Sequence, residues 1–182
     1  MAGAATALLG LALAGMAGLV HAQDYTVFAA GDIAWCDHPD PQWSGAAATA
    51  RLVEAGLASN RDAAVLLLGD ITYPRGRLEE FTACYHPTWG RFKDRTWPAP
   101  GNHEYLTPGA RGYFDYFGSA AGPGYYRIKL GSWQVYSLDS NLAAGPAAAQ
   151  LAWLKQQLAA HPSGCTLAYW HHPLYSSGGH GS

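Results

Sequence analysis

The stretch AAVLLLGDITYP, residues 63–74, joins an apolar run to a polar turn. Its first six residues are apolar, which predicts a strand over residues 63–68 that is buried on both faces. Gly69 and Asp70 follow at once, so a carboxylate stands directly after the strand. Strands of this kind are typical of a parallel sheet that is covered by helices on both sides.

The same pattern of an apolar run followed by polar residues occurs three more times along the chain. Further strands are predicted over residues 25–30, 96–100 and 165–170, and they lead into Gly31-Asp32, Gly101-Asn102-His103-Glu104 and His171-His172. In open α/β sheets the carboxyl ends of the strands line the ligand crevice. We therefore expect these polar residues to meet at one rim of the sheet.

Helical segments separate these strands. Apolar spacing predicts helices over residues 42–58 and 147–160, and the second helix carries Leu151, Leu154 and Leu158 on one face. A Gly-Ser pair between the runs 125–130 and 133–138 predicts a hairpin. The sequence therefore predicts an α/β fold with a layered, mainly parallel sheet and helices on its faces.

The side chains at the predicted rim are suited to metal binding. Each motif alone has a simpler explanation, because Gly-Asp after a strand is often a turn or a helix cap. Their placement on successive strand ends favours a metal site formed by Asp32, Asp70, Asn102 and His171. Asp70 has two carboxylate oxygens and can bridge two ions, and metal pairs about 3.5–4 Å apart are the usual device for attack on phosphate esters. His103 is the candidate general acid for the leaving group.

The ordered motifs resemble those of the calcineurin-like metallophosphoesterases, and more narrowly their purple acid phosphatase branch. The resemblance runs from about Tyr25 to the end of the chain. It implies a catalytic domain over residues 23–182 that hydrolyses phosphate monoesters of small molecules by attack of a metal-activated hydroxide. A phosphodiesterase or nucleotide-cleaving enzyme on the same site and an inactive binding domain that keeps the fold are the alternatives.

Tyr73 is the residue on which the expected identity of the metal ions depends. Many metallophosphoesterases carry Asp-x-His at the first motif, whereas Asp32 is followed here by Ile33 and Ala34. Purple acid phosphatases use the Tyr of Gly-Asp-x-x-Tyr instead, which corresponds to Tyr73. A phenolate is a hard anionic donor suited to Fe(III). The resemblance thus implies Fe(III) together with a divalent ion, which is Zn, Mn or Fe.

The end of the sequence both matches the family and departs from it. His180 stands nine residues after His171, where the family places a substrate-facing histidine, and His172 is expected to support the site. The family's last motif, Gly-His-x-His, is not found, because Ser182 stands where Gly179-His180-Gly181 would need a histidine to follow. We expect the catalytic domain to be cut before that motif and residues 23–182 alone to be inactive.

Composition and cysteine usage indicate the compartment. The chain has 182 residues and a formal net charge of -2, which offers no basic field for nucleic acid. Residues 1–22 resemble a signal peptide, so we expect a secreted or periplasmic protein with no stable membrane anchor once the leader is removed. Such compartments are oxidising. Cys36 and Cys84 both follow predicted strand ends and are the preferred disulfide pair, whereas Cys165 is expected to be a buried, small apolar residue.

Overall fold

A computed structural model of the protein describes residues 24–36 and 39–177. The predicted leader, residues 1–22, lies outside the described residues. The strands are Val27–Ala30 (β1), Ala34–Trp35 (β2), Ala64–Leu68 (β3), Thr72–Tyr73 (β4), Thr96–Ala99 (β5), Tyr126–Leu130 (β6), Trp133–Ser137 (β7) and Thr166–Tyr169 (β8). The α-helices are Gly45–Ser59 (α1), Leu78–Glu80 (α2), Asn102–Tyr105 (α3), Arg111–Phe117 (α4) and Ala144–Ala160 (α5).

Shorter helical segments complete the connections. Phe81–Tyr85 is π-helical and continues α2, and the 3₁₀ segments are Pro41–Trp43, Trp89–Arg95, Pro108–Ala110 and Gly118–Ala121. Among the described residues, no helix combines the length and the apolar character that are needed to span a bilayer.

Two three-stranded sheets form the centre of the molecule. The first sheet has the order β1-β3-β5 and is parallel throughout. The second has the order β6-β7-β8, in which β6 and β7 form the antiparallel hairpin and β7 and β8 are parallel. The predicted α/β fold with parallel sheets and helices is therefore confirmed. The strands form three sheets and not one, since β2 and β4 pair in a separate parallel sheet, and the strand that precedes His171 belongs to the second three-stranded sheet.

Strand β3 shows how the layers are held together. Because successive side chains of a strand point to opposite faces, Val65 and Leu67 pack into the aromatic cluster beneath α1, while Ala64 and Leu66 face the second sheet. Four of the five residues of β3 are buried. Both faces of the first sheet are therefore apolar and covered, which explains the continuous apolar run in the sequence.

Helix α5 covers the outer face of the second sheet by an aromatic contact. The ring of Trp153 lies 4.9 Å from that of Tyr125 and 6.2 Å from that of Tyr136, measured between centroids. Of the three leucines predicted to share one face, Leu154 is half-buried like Trp153, whereas Leu151 is 52% exposed and Leu158 is 44% exposed. The helix itself is confirmed, but two of its three leucines are not part of the packed surface.

The predicted disulfide between Cys36 and Cys84 is present. Cys36 follows β2, as a strand-end residue should, but Cys84 lies within the π-helical segment Phe81–Tyr85 and not after a strand. The bond therefore ties the turn after β2 to a helical segment. Cys165 is free and half-buried, just before β8.

Candidate metal centre

The carboxyl ends of four strands bring polar side chains together around one cavity. Asp32 follows β1, Asp70 follows β3, Asn102 and His103 follow β5, and His171 follows β8. The cavity has a volume of about 730 Å³ and is lined by Asp32, Asp70, Tyr73, Asn102, His103, His171, His172, Pro173 and Ser176. The rim expected from the sequence thus exists, although three sheets contribute to it, since Tyr73 lies in β4, which pairs with β2.

Asp32 and Asp70 occupy the same unusual backbone conformation at the ends of adjacent strands. Their φ angles are 54° and 49°, in the left-handed region that L-residues with side chains seldom adopt. Parallel backbone hydrogen bonds hold the two turns side by side, with the Asp32 N–H donating to Gly69 O at 3.2 Å and the Ile33 N–H donating to Asp70 O at 3.1 Å. These bonds place both carboxylates on the same side of the sheet.

The Tyr73 hydroxyl lies between the two carboxylates. It contacts Asp32 Oδ1 in a short hydrogen bond and Asp70 Oδ2 at 3.0 Å. Burial, followed by the hydrogen bond to Asp32 and the charge of Asp70, raises the pKa of Tyr73 far above its ordinary value. One hydroxyl proton cannot satisfy two carboxylates at once. These three oxygens form one group of candidate metal donors.

His171 belongs to a second group of candidate metal donors. Its Nδ1 lies 2.8 Å from Leu68 O, and a carbonyl accepts only, so Nδ1 carries a proton. Its Nε2 faces two further acceptors, Asn102 Oδ1 at 3.1 Å and Asp70 Oδ2 at 3.4 Å. Burial lowers the pKa of His171, but the hydrogen bond and charge of Asp70 outweigh it and raise the value to about 9. A cation, either a proton or a metal ion, fits between these three atoms.

Asp70 is common to both groups of ligands. Burial would raise its pKa, but hydrogen bonds from His171, the His103 N–H and Tyr73 hold the pKa below its usual value. The carboxylate therefore stays ionised. One oxygen, Oδ2, lies 3.0 Å from the Tyr73 hydroxyl and 3.4 Å from His171 Nε2, so a single oxygen of Asp70 faces both groups, while Oδ1 accepts the His103 N–H.

His103 faces the same cavity but is held differently. Its backbone N–H donates to Asp70 Oδ1 at 2.9 Å, and its Nδ1 lies 2.7 Å from the Pro74 carbonyl, to which it donates. Its Nε2 is 3.8 Å from Asp70 Oδ2. These contacts fix the orientation of the ring and leave Nε2 on the cavity side, where a general acid would need its proton.

Glu104 is the residue whose importance sequence reasoning missed. Its side chain is fully buried, and its carboxylate accepts four backbone N–H groups. They belong to Asp70 at 2.9 Å, Ile71 at 2.9 Å, Thr72 at 3.3 Å and Gly101 at 2.8 Å. Burial raises the pKa of Glu104 to about 7, against the effect of these donors. Glu104 therefore ties the turn carrying Asp70 to the turn carrying Asn102, and its place three residues after Gly101 was the available signal.

Two other histidines complete the account of the predicted residues. His172 lines the cavity, and its Nδ1 lies 2.8 Å from Ser140 Oγ, so a serine of the loop after β7 orients it. His180 lies outside the described residues. Within the described ranges, no three His, Cys, Asp or Glu side chains are grouped so that they could hold one metal ion by themselves. With the oxygens of Tyr73 and Asn102 added, the side chains around the cavity are hard and borderline donors, of the types that proteins use to hold cations.

Comparison with known proteins assigns the chain to a family. Residues 23–182 match the family profile described as calcineurin-like phosphoesterase. A search of curated proteins found no match for the chain. The family is one of metal-dependent phosphoesterases that usually bind two metal ions, in agreement with two ligand groups that share Asp70. The matched region covers most of the chain and includes every residue of the rim, so the protein belongs to the calcineurin-like phosphoesterase family.

Proposed function

We propose that the protein is an exported phosphatase of the purple acid phosphatase type, which hydrolyses phosphate monoesters of small molecules. In this proposal Asp32, Asp70 and Tyr73 hold Fe(III), and Asp70, Asn102 and His171 hold a divalent ion, Zn, Mn or Fe. The observation that carries it is the Tyr73 hydroxyl between two carboxylates. A phenol in that position supplies the hard anionic donor that a trivalent ion prefers.

The residues of the rim divide the work of ester hydrolysis. When bound, two metal ions supply positive charge for the phosphoryl oxygens and a nucleophile at neutral pH. His103, held by Pro74 O and Asp70, presents Nε2 to the cavity, and as an imidazolium it would give the proton of that nitrogen to the oxygen of the leaving group. His171 and Asn102, together with Asp70, are the residues that would hold the second ion. The proposal also includes His172 as a residue that supports the site and His180 as a residue that contacts the substrate.

The substrate class is proposed from the size and polarity of the site. A cavity of about 730 Å³ has room for a phosphate group and a small organic group, and it is lined mainly by polar side chains. A phosphodiesterase or nucleotide-cleaving enzyme would use the same rim, and an inactive binding domain would keep it without turnover. A nucleic acid is not proposed as partner, because the chain has a net charge of -2.

Export is proposed from the leader-like residues 1–22 and from the disulfide. A Cys36–Cys84 bond persists in an oxidising compartment and would be reduced in most cytosols. The mature protein would then be secreted or periplasmic. Fractionation of cells that express the full-length protein, with N-terminal sequencing of the product, tests the proposal. A protein that keeps residues 1–22 in the cytosol would contradict it.

The metal assignment is tested by colour. The full-length protein, by which we mean the whole gene product and not residues 23–182 alone, is loaded with iron together with zinc or manganese. The visible spectrum and the hydrolysis of p-nitrophenyl phosphate are then recorded. Tyr73→Phe should remove the charge-transfer absorption while the fold, measured by circular dichroism, is unchanged. An enzyme that is active but colourless with iron would favour a plain divalent pair.

The role of His103 is tested by the leaving group. His103→Ala should lower turnover by about 10²–10⁴-fold on esters whose leaving groups need protonation. Metal content, measured by atomic emission, should be nearly unchanged. The loss should be smaller for esters with acidic leaving groups, since these depart without a proton. Equal losses for all leaving groups would count against general acid catalysis.

A further inference from the structure

We propose that Trp35 is a stacking platform that makes the enzyme prefer phosphate esters with a flat, aromatic leaving group. This inference rests on the proposed function, and it names the class of substrate. Trp35 is 53% exposed, and its indole contacts Tyr73, a residue of the rim. The metal and acid functions do not use it.

The backbone of Trp35 is held rigidly on both sides. Ala34 before it is fully buried, and its N–H donates to Ile71 O at 3.0 Å. Cys36 after it is bonded to Cys84, which packs against the main core cluster. Trp35 also pairs with Tyr73 in the register of β2 and β4. An exposed side chain on such an anchored segment is presented to solvent at a small further loss of entropy.

The rings form a row that leads from the surface to the reacting centre. The indole of Trp35 stacks on Tyr73, with centroids 4.8 Å apart and planes at 26°. Tyr73 in turn contacts His103, with centroids 4.3 Å apart. The leaving group must lie near His103 if that residue protonates it. Trp35 does not itself line the cavity, so a leaving group has to extend from His103 past the Tyr73 ring to reach the indole.

The chemistry of this surface favours a planar ring over an alkyl chain. Tryptophan offers a large apolar face, and aromatic rings stack on it in offset or tilted geometry. Stacking of a ring on an exposed aromatic side chain changes affinity by about 10-fold or more when the side chain is removed. The competing explanation is that Trp35 only shields the Tyr73 hydroxyl from water. In that case its removal would affect all substrates alike.

The test compares two esters in the metal-loaded, full-length enzyme. The ratio of kcat/KM for 2-naphthyl phosphate to that for glycerol 2-phosphate is measured in the wild type, Trp35→Ala and Trp35→Phe. The two alcohols differ in acidity, but this difference is the same in every variant and cancels when the ratios are compared. We expect Trp35→Ala to lower the ratio about 10-fold, through KM for the naphthyl ester, and Trp35→Phe to restore part of it.

Trp43→Ala is the matched control. Trp43 is 79% exposed in the 3₁₀ segment Pro41–Trp43 and, unlike Trp35, makes no ring contact with Tyr73, so its removal should leave the ratio as in the wild type. An equal loss on both esters in Trp35→Ala would overturn the inference and make Trp35 a support for Tyr73. An unchanged ratio would overturn it as well.

A binding measurement separates this inference from the proposed function. Calorimetry compares 1-naphthylmethylphosphonate with methylphosphonate, neither of which is a phosphate ester. If no ester is hydrolysed but the naphthyl compound binds tighter in a Trp35-dependent way, the platform stands and the proposed function fails. If esters are hydrolysed while the two phosphonates bind equally well, the function stands and the platform is overturned.

Discussion

The two three-stranded sheets of the protein differ in how well they are packed and hydrogen-bonded to the rest of the molecule. The first sheet is parallel, its central strand β3 is buried on both faces, and Glu104 ties together two of the turns that leave it. The second sheet is covered by α5, of which no residue is fully buried. Most of the candidate ligands belong to the first sheet, and the second contributes His171. Most of the candidate site is therefore built on the better-packed first sheet, and His171 connects the second sheet to it.

That junction has a definite structure. His171 leaves β8 of the second sheet, and its Nδ1 donates to Leu68 O, the last residue of β3 in the first sheet. Close packing supports the contact, because a Cβ at Gly69 would overlap the His171 side chain. The histidine therefore serves both as a candidate ligand and as a contact between the sheets at the rim. The comparison predicts large effects for changes in the first sheet and small ones in α5.

The largest effect is expected at Glu104. Glu104→Ala would leave four buried backbone N–H groups without their acceptor, and buried unpaired donors are costly. We expect the free energy of unfolding, measured in urea, to fall by about 3–5 kcal/mol. Metal binding should weaken at the same time, because the turns carrying Asp70 and Asn102 lose their common anchor.

Glu54→Ala is the matched control for this variant. Glu54 is an exposed carboxylate in an ion pair with Arg91 at 3.1 Å, and exposed pairs contribute at most about 1 kcal/mol. If Glu104→Ala were no more harmful than Glu54→Ala, the turns would be held by something other than this carboxylate, and the first sheet would not be the more tightly secured half.

An intermediate effect is expected at Gly101. A Cβ there would overlap the backbone N and Oδ1 of Asp70, so Gly101→Ala must displace the shared carboxylate. Overpacking of this kind costs about 1–3 kcal/mol. Gly145→Ala in α5 is the counterpart, since a Cβ at Gly145 meets nothing within 4 Å and alanine favours helix. Thermal denaturation of the two variants should show a lower Tm for the first and an unchanged or higher Tm for the second. Equal shifts would contradict the comparison.

The sequence predicted those parts of the fold that have local signals. The observed strand Ala64–Leu68 differs by one residue from the predicted range 63–68, and the observed hairpin Tyr126–Leu130 and Trp133–Ser137 lies within the predicted one. Long apolar runs and a Gly-Ser turn are sufficient for that. The convergence of Asp32, Asp70 and Asn102 followed from the pattern of strands, because carboxyl ends of parallel strands share an edge. His171 reaches the same cavity from a different sheet, which the sequence did not predict.

Other features depend on contacts that are distant in the sequence. Strands β2 and β4 have two residues each, which is too short for any periodicity to appear. The four N–H partners of Glu104 include three that are 32 to 34 residues away, and nothing in the sequence around Glu104 specifies them. Leucine spacing in α5 predicted a helix, but Trp153 forms its aromatic contacts with the sheet. Periodicity identifies an apolar face and does not show what covers it.

The smallest effect is expected at that leucine face. Leu158 is 44% exposed, so Leu158→Ala removes little buried surface and should lower the free energy of unfolding by at most about 1 kcal/mol. Leu66→Ala is the counterpart in β3, where the side chain is 2% exposed and truncation of a core leucine costs about 2–5 kcal/mol. Urea denaturation of both variants, at two protein concentrations, measures the difference. A loss at Leu158 as large as that at Leu66 would mean that the leucine face of α5 is covered in solution. Dependence of that loss on protein concentration would then show that a second copy covers it, and independence that the same chain does. Either result would remove the contrast between the two halves, because the second sheet would be as well packed on its outer side as the first.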